Sequence, residues 1–118
     1  MSEHNFWSTA SEIARAYERR EISPVEMVEH VLQRAERLQP RLNFLVLIDR
    51  EGALAAARAS EERWRRRAPL SPLDGVPTSI KDTTPLKGWP TRYGSHATDD
   101  APAAEDAAVS GRIRAAGM

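Results

Sequence analysis

A lysine stands inside an otherwise apolar stretch punctuated by glycine and proline: residues 73–95 read LDGVPTSIKDTTPLKGWPTRYGS, with Lys81 near the middle. An ammonium is strongly hydrated, so a lysine enclosed in such a stretch either finds a partner or gives up its proton. Without its proton, lysine is a base. Val76, Thr78 and Ile80 alternate with Pro77, Ser79 and Lys81, a period of two that predicts a short strand with Ser79 and Lys81 on one face. Asp82 then points to the opposite face and is a poor direct partner for Lys81. Gly75 and Pro77 before this strand, then Pro85, Gly88, Pro90 and Gly94 after it, mark a long shaped loop of the kind that carries function. A plainer reading makes Lys81 a surface residue on an edge strand, where a charge blunts unwanted pairing. Periodicity by itself leans that way.

The motif content changes the balance. Gly75, Val76 and Pro77, then Ile80, Lys81 and Asp82, then the run GWPTRYGS from Gly88 to Ser95 form an ordered set that resembles the core motif of the amidase signature family. In those serine amidohydrolases a Gly-x-Pro strand leads to Ile-Lys-Asp and then to a Gly-x-x-Thr-x-x-Gly-Ser loop. Ile-Lys-Asp alone would be a weak signal, whereas the ordered set at these spacings is specific. The flanks resemble the family too, since the last helical stretch runs into Arg114, Ala115, Ala116 and Gly117, so the likeness covers nearly the whole chain.

The resemblance implies an α/β fold, with residues 1–118 forming the N-terminal portion of a single amidase-signature domain built on a mixed central sheet flanked by helices. It implies hydrolysis of a carboxamide C–N bond through a serine acyl-enzyme. Lys81 takes the role of the base in a Ser-cisSer-Lys triad, receiving the nucleophile's proton through a bridging serine. The other two roles fall on no residue here, because Ser79, Ser95 and Ser110 do not stand in a Gly-Ser-Ser-Gly-like turn. In the family that segment lies downstream. Oxyanion donors, usually the largest electrostatic contribution in acyl transfer, would be missing as well. The expectation is that these 118 residues alone are inactive. Two alternatives stay open: the amidase-like component of a tRNA-dependent amidotransferase, and a non-catalytic remnant or interaction module.

Charge and composition exclude other classes. The 118 residues carry 17 basic and 17 acidic side chains, so no long-range field favours nucleic acid or an anionic membrane. Arg63, Arg65, Arg66 and Arg67 crowd around Trp64, but arginines at a helix C-terminus complement the macrodipole and stay solvated. A nucleic-acid binder using them would lose affinity steeply with salt. Cysteine is absent, which excludes disulfides, thiolate metal sites and a cysteine nucleophile. His4, His30 and His96 are scattered, without the spacing of a metal site. Glu61 and Glu62 read as solvated helix positions, not an acid/base pair. Trp89 and Tyr93 either shape a substrate pocket or, more simply, pack their loop down. No cofactor or metal is needed. The expected partners are a small-molecule amide and the remainder of the amidase domain, with no nucleic acid and no membrane; a homo-oligomer is compatible with the sequence. The amino-terminal MSEHNFWSTA has neither a basic start nor an apolar run, which makes cytoplasmic the default location.

The elements that must position Lys81 read as helix, helix, strand, helix, strand with loop, helix. Thr9 and Glu12 form a capping box, as do Ser23 and Glu26 with Pro24 at the first helical position. The second box launches Val28, Val31, Leu32, Ala35 and Leu38 along one stripe, which Pro40 is expected to close. The continuous apolar run FLVLI at 44–48 predicts a strand covered on both faces. Asp49 caps an alanine-rich helix to about Arg67, ended by Pro69 and Pro72. A last helix from about Ala104 to Ala116 would carry Gly117 as its C-cap. A piece that left these strands without sheet neighbours would be poorly ordered or self-associating.

Overall fold

A computed structural model describes residues 7–118, and the sequence reading of His4 lies outside them. Among the described residues there are four helices: α1 (Ala10–Glu18), α2 (Pro24–Leu42), α3 (Arg50–Arg65) and α4 (Ala108–Ala115). They belong to two compact units. The first comprises the residues up to Pro77 with Ala116–Met118, and the second is Thr78–Ala115.

In the first unit the helix starts form as the caps dictate. Thr9 Oγ1 accepts the Glu12 N–H at 3.3 Å and Glu12 Oε2 accepts the Thr9 N–H at 2.6 Å; Ser23 and Glu26 repeat the arrangement at the head of α2. Asp49 caps α3 by accepting the Gly52 N–H. One core gathers Tyr17, Ile22, Met27 and Val76, with Trp64, Leu73 and Met118 packed against it. A second gathers Val28 and Leu32 of α2 with Ala57 of α3.

Three boundaries differ from expectation. Pro40 does not close α2, which runs on to Leu42 before Asn43 turns left-handed at φ 46°. The fixed φ of Pro40 suits the helix, and standing two residues from the end Pro40 disturbs only the last turn, where the lost N–H and the crowding of the preceding carbonyl affect little of α2. Two residues early, α3 stops at Arg65. In the second unit α4 begins at Ala108, four residues late, because the preceding segment is drawn into loop contacts: the Lys87 N–H bonds Asp106 Oδ1 at 2.7 Å and the Ala107 N–H bonds the Pro85 carbonyl at 3.0 Å.

The expected strands are a larger correction. Among the described residues neither 44–48 nor 76–81 forms a strand, and the only ladder contact is a single parallel bridge between Lys87 and Ala103. A strand exists only with a partner alongside. Leu45 instead has its N–H and C=O bonded by the Gln39 carboxamide at 3.0 and 2.6 Å, while Phe44, Val46 and Leu47 are 52%, 77% and 52% exposed. The mixed central sheet expected from the resemblance is therefore not seen. No helix among the described residues is long and apolar enough to cross a membrane.

Candidate active site

Lys81 sits in the second unit with its side chain exposed. Its carbonyl accepts the Thr84 N–H at 2.9 Å, closing a turn that leads the chain away. Among the described residues its ammonium pairs with no carboxylate and bonds no serine hydroxyl. Asp82 forms no ion pair with it among the described residues, but without a strand at 76–81 the alternation read from the sequence is not what separates them. Asp82 faces the loop instead: Oδ1 accepts the Arg92 N–H at 2.8 Å, Oδ2 accepts the Gly94 N–H at 3.2 Å, and the Asp82 carbonyl accepts the Tyr93 N–H at 2.9 Å. Tyr93 and Gly94 are both left-handed, at φ 54° and 63°, and the turn at Tyr93 brings the N–H groups on either side of it to the same carboxylate.

The rest of the loop is held by its own polar groups. Arg92 reaches Thr98 through Nε at 3.1 Å and forms an ion pair with Asp100. Thr98 Oγ1 contacts the carbonyls of Arg92 and Ser95 at 3.1 and 3.0 Å. Ser95 is exposed, its Oγ accepting the Ala97 N–H. Ser110 is fully buried and donates to the Pro85 carbonyl at 2.8 Å, a bond that ties α4 to the loop and occupies the hydroxyl. Ser79 is exposed. Trp89 is half-buried and its carbonyl takes the Ala103 N–H; Tyr93 is 58% exposed, and His96 is exposed. The arrangement presents a lysine on a braced loop. Among the described residues no hydroxyl is hydrogen-bonded to that lysine's side chain.

The first unit has its own polar centre, which the sequence did not reveal. Asp74 is completely buried and takes both arms of the Arg63 guanidinium, Nε to Oδ2 at 2.6 Å and Nη2 to Oδ1 at 2.7 Å, with the Leu70 N–H adding a third bond at 2.9 Å. Burial works to raise the Asp74 pKa, but the Arg63 bonds, the Leu70 amide and the Arg63 charge outweigh it and hold the carboxyl below the usual aspartate range. Trp64 Nε1 donates to the Asp74 carbonyl, and the Tyr17 hydroxyl to the Gly75 carbonyl, both at 2.9 Å. Burial, then the Asp74 charge, push the Tyr17 phenol up. Arg63 is thus an internal partner and not part of a solvated cluster. Arg65 and Arg66 are exposed but paired with Glu62, whose carboxyl their hydrogen bonds draw down to about 2. No local pattern joins Arg63 to Asp74; only the loop between them does. Among the described residues no acidic or histidine cluster could hold a metal.

A model of the amidase family matches residues 26–118, which include all but the first two residues of α2, all of α3 and α4, and every residue of the 75–95 motif. The chain belongs to the amidase signature family. Among similar proteins of this family, an acylamidase of Rhodococcus erythropolis is 36% identical over 118 residues, covering 99% of this chain and 25% of its own. The Methylococcus capsulatus glutamyl-tRNA(Gln) amidotransferase has a component that is 42% identical over 109 residues, covering 92% of this chain and 22% of its own. A solved amidase superposes with a TM-score of 0.83 at 37% identity, over 93% of this chain and 25% of that one. A bacterial aryl acylamidase of the amidase signature family superposes at 0.70 with 34% identity, over 80% and 21%. The chain thus spans about a quarter of the length of the amidase signature relatives it matches.

Proposed function

We propose that this chain carries the base-bearing portion of an amidase, with Lys81 as the catalytic base in the hydrolysis of a carboxamide. The observation that carries this reading is the family match over 26–118, centred on the Gly75 to Ser95 motif that contains Lys81. Residues 1–118 are then the N-terminal portion of one amidase-signature domain, and the segments 44–48 and 76–81 are strands of its mixed sheet once their neighbours are present. Exposure of Phe44, Val46 and Leu47 supports this, since such a row suits burial against a sheet or helix layer.

In the mechanism the family likeness suggests, a serine hydroxyl attacks the amide carbon as its proton passes through the bridging serine to the Lys81 amine. Lys81 then returns the proton to the departing amine, and water hydrolyses the acyl ester by the reverse relay. Nucleophile, bridging serine and oxyanion donors come from outside these residues, so the 118 residues alone are inactive. The substrate is a small-molecule amide and the location cytoplasmic. A second reading, the amidase-like component of a tRNA-dependent amidotransferase, is favoured by the 42% identity to the Methylococcus protein. A non-catalytic remnant is the third.

The test is the protein as its own gene makes it, with its intact mass recorded and hydrolysis of an aryl amide followed for wild type and Lys81→Ala. Turnover lost in the variant supports the amidase reading. A mass matching these 118 residues, without turnover, supports the remnant. Glutamine-dependent activity confined to a complex with partner proteins supports the amidotransferase. Turnover by residues 1–118 alone that disappears in Lys81→Ala overturns the claim that the nucleophile lies elsewhere.

A further inference from the structure

We propose that Asp82 is a positioning residue of the Lys81 site: its carboxylate sets the left-handed turn at Tyr93 and Gly94 and thereby fixes where Lys81 stands relative to Gly94 and Ser95. The proposal rests on Lys81 being the base, and it concerns a residue with no part in the proton relay.

An ionised carboxylate offers only acceptors. Asp82 commits both oxygens and its peptide carbonyl to three successive N–H groups, those of Arg92, Gly94 and Tyr93. The Gly94 N–H is brought round to the same residue as the Arg92 N–H across a left-handed Tyr93, a conformation that a tyrosine adopts at a steric cost. The acceptors of Asp82 offset that cost. On the other side of the same peptide, the Lys81 carbonyl is tied to the Thr84 N–H at 2.9 Å. The backbone at Lys81 is therefore braced by the 81–84 turn and, through Asp82, by the 92–94 turn, while its side chain is left exposed. A carboxylate is needed for this, because two N–H donors demand two acceptor oxygens. Asparagine would match the shape and turn its NH₂ toward one of them.

The Asp82→Asn variant tests this. On the protein as its gene makes it, amide hydrogen exchange at Gly94 or Arg92 is expected to accelerate by at least about tenfold, with exchange in α4 and the helical circular dichroism unchanged. Unchanged exchange at both amides overturns the proposal whatever the enzyme does. On the protein as its gene makes it, where that protein turns over an aryl amide, Asp82→Asn is expected to lower kcat by about ten- to a hundredfold while KM moves less than about threefold. The pH–rate profile should keep its shape. Loss of one limb of that profile would make Asp82 a proton carrier and overturn the positioning role, and so would wild-type kcat. An active Lys81→Ala variant would instead sink the assignment of Lys81 as the base, leaving the exchange result to decide what Asp82 holds.

Discussion

Arg63 grips Asp74 with both arms of its guanidinium, at 2.6 and 2.7 Å, and the carboxylate it grips has no exposure to solvent. The pair closes the loop that runs from the end of α3 back across the unit to Gly75. Three further bonds converge on this point: the Leu70 N–H to the carboxylate, the Trp64 indole to the Asp74 carbonyl, and the Tyr17 hydroxyl to the Gly75 carbonyl. The loop that leads to the Lys81 segment is thus anchored by charge in the middle of an apolar cluster.

Removing the charge from Asp74 leaves Arg63 without its partner. Because the Arg63 side chain is 28% exposed, water recovers part of the loss, and Asp74→Asn is expected to cost about 2–3 kcal/mol, below the usual figure for a fully buried pair. Urea unfolding of wild type and variant measures it. A variant as stable as wild type would show that the pair contributes nothing net.

The same carboxylate predicts a pH dependence. The Asp74 pKa is lowered in the folded state, so its contribution is present above the unfolded value of about 3.9 and is lost as pH falls through the folded value. Thermal stability should therefore drop on acidification below about pH 4, and Asp74→Asn should flatten that drop. Tyr17 acts at the other end: its pKa is raised, so its contribution is complete below about pH 10 and declines as pH climbs further. Tyr17→Phe should lose about 1 kcal/mol at neutral pH, the worth of its bond to Gly75.

Gly117 is required twice over. Its φ is 85°, and a Cβ there would lie 2.4 Å from Asp74 Oδ1. Gly88 has φ 90° with nothing within 4 Å of such a Cβ. Gly88→Ala is expected to cost about 1 kcal/mol of backbone strain alone, and Gly117→Ala clearly more, because it also displaces the Asp74 carboxylate. Equal melting temperatures for the two variants would contradict the contact.

Leu42, Phe44, Val46 and Leu47 present a row of exposed apolar side chains beside backbone that pairs with no strand. The 118-residue chain is expected to self-associate with rising concentration, and Val46→Asp to suppress this without lowering helical circular dichroism. Light scattering against concentration is the measurement. A wild-type chain that stays monomeric at high concentration would contradict the expectation.

Lys81→Arg separates chemistry from shape. A guanidinium keeps both length and charge but stays protonated, so it cannot take the serine's proton. Acylation by the protein as its gene makes it should fall to the level of Lys81→Ala. Near wild-type acylation by Lys81→Arg would end the assignment of Lys81 as the base.

The starts of α1, α2 and α3 and the family motif were legible in the residues alone, whereas the start of α4 was not. A cap is a bond between groups three positions apart, so Thr9 with Glu12, Ser23 with Glu26 and Asp49 with Gly52 declare themselves locally. Spacing within one short segment likewise marked Lys81. The places where the sequence misled share a cause. Arg63 with Asp74, Asp82 with Arg92 and Gly94, and Ser110 with Pro85 join positions 10 to 25 residues apart, and no periodicity encodes which of the available carboxylates or carbonyls a side chain will meet. The run at 44–48 had the composition of a strand, yet a strand is a relation between two segments, and here the Gln39 side chain takes Leu45 instead. Local chemistry determined where α1, α2 and α3 begin and which segment carries the family motif. Tertiary packing decided which charges are buried, which loop Asp82 holds, and that the apolar run stays unpaired, because each of these depends on what arrives from elsewhere in the chain.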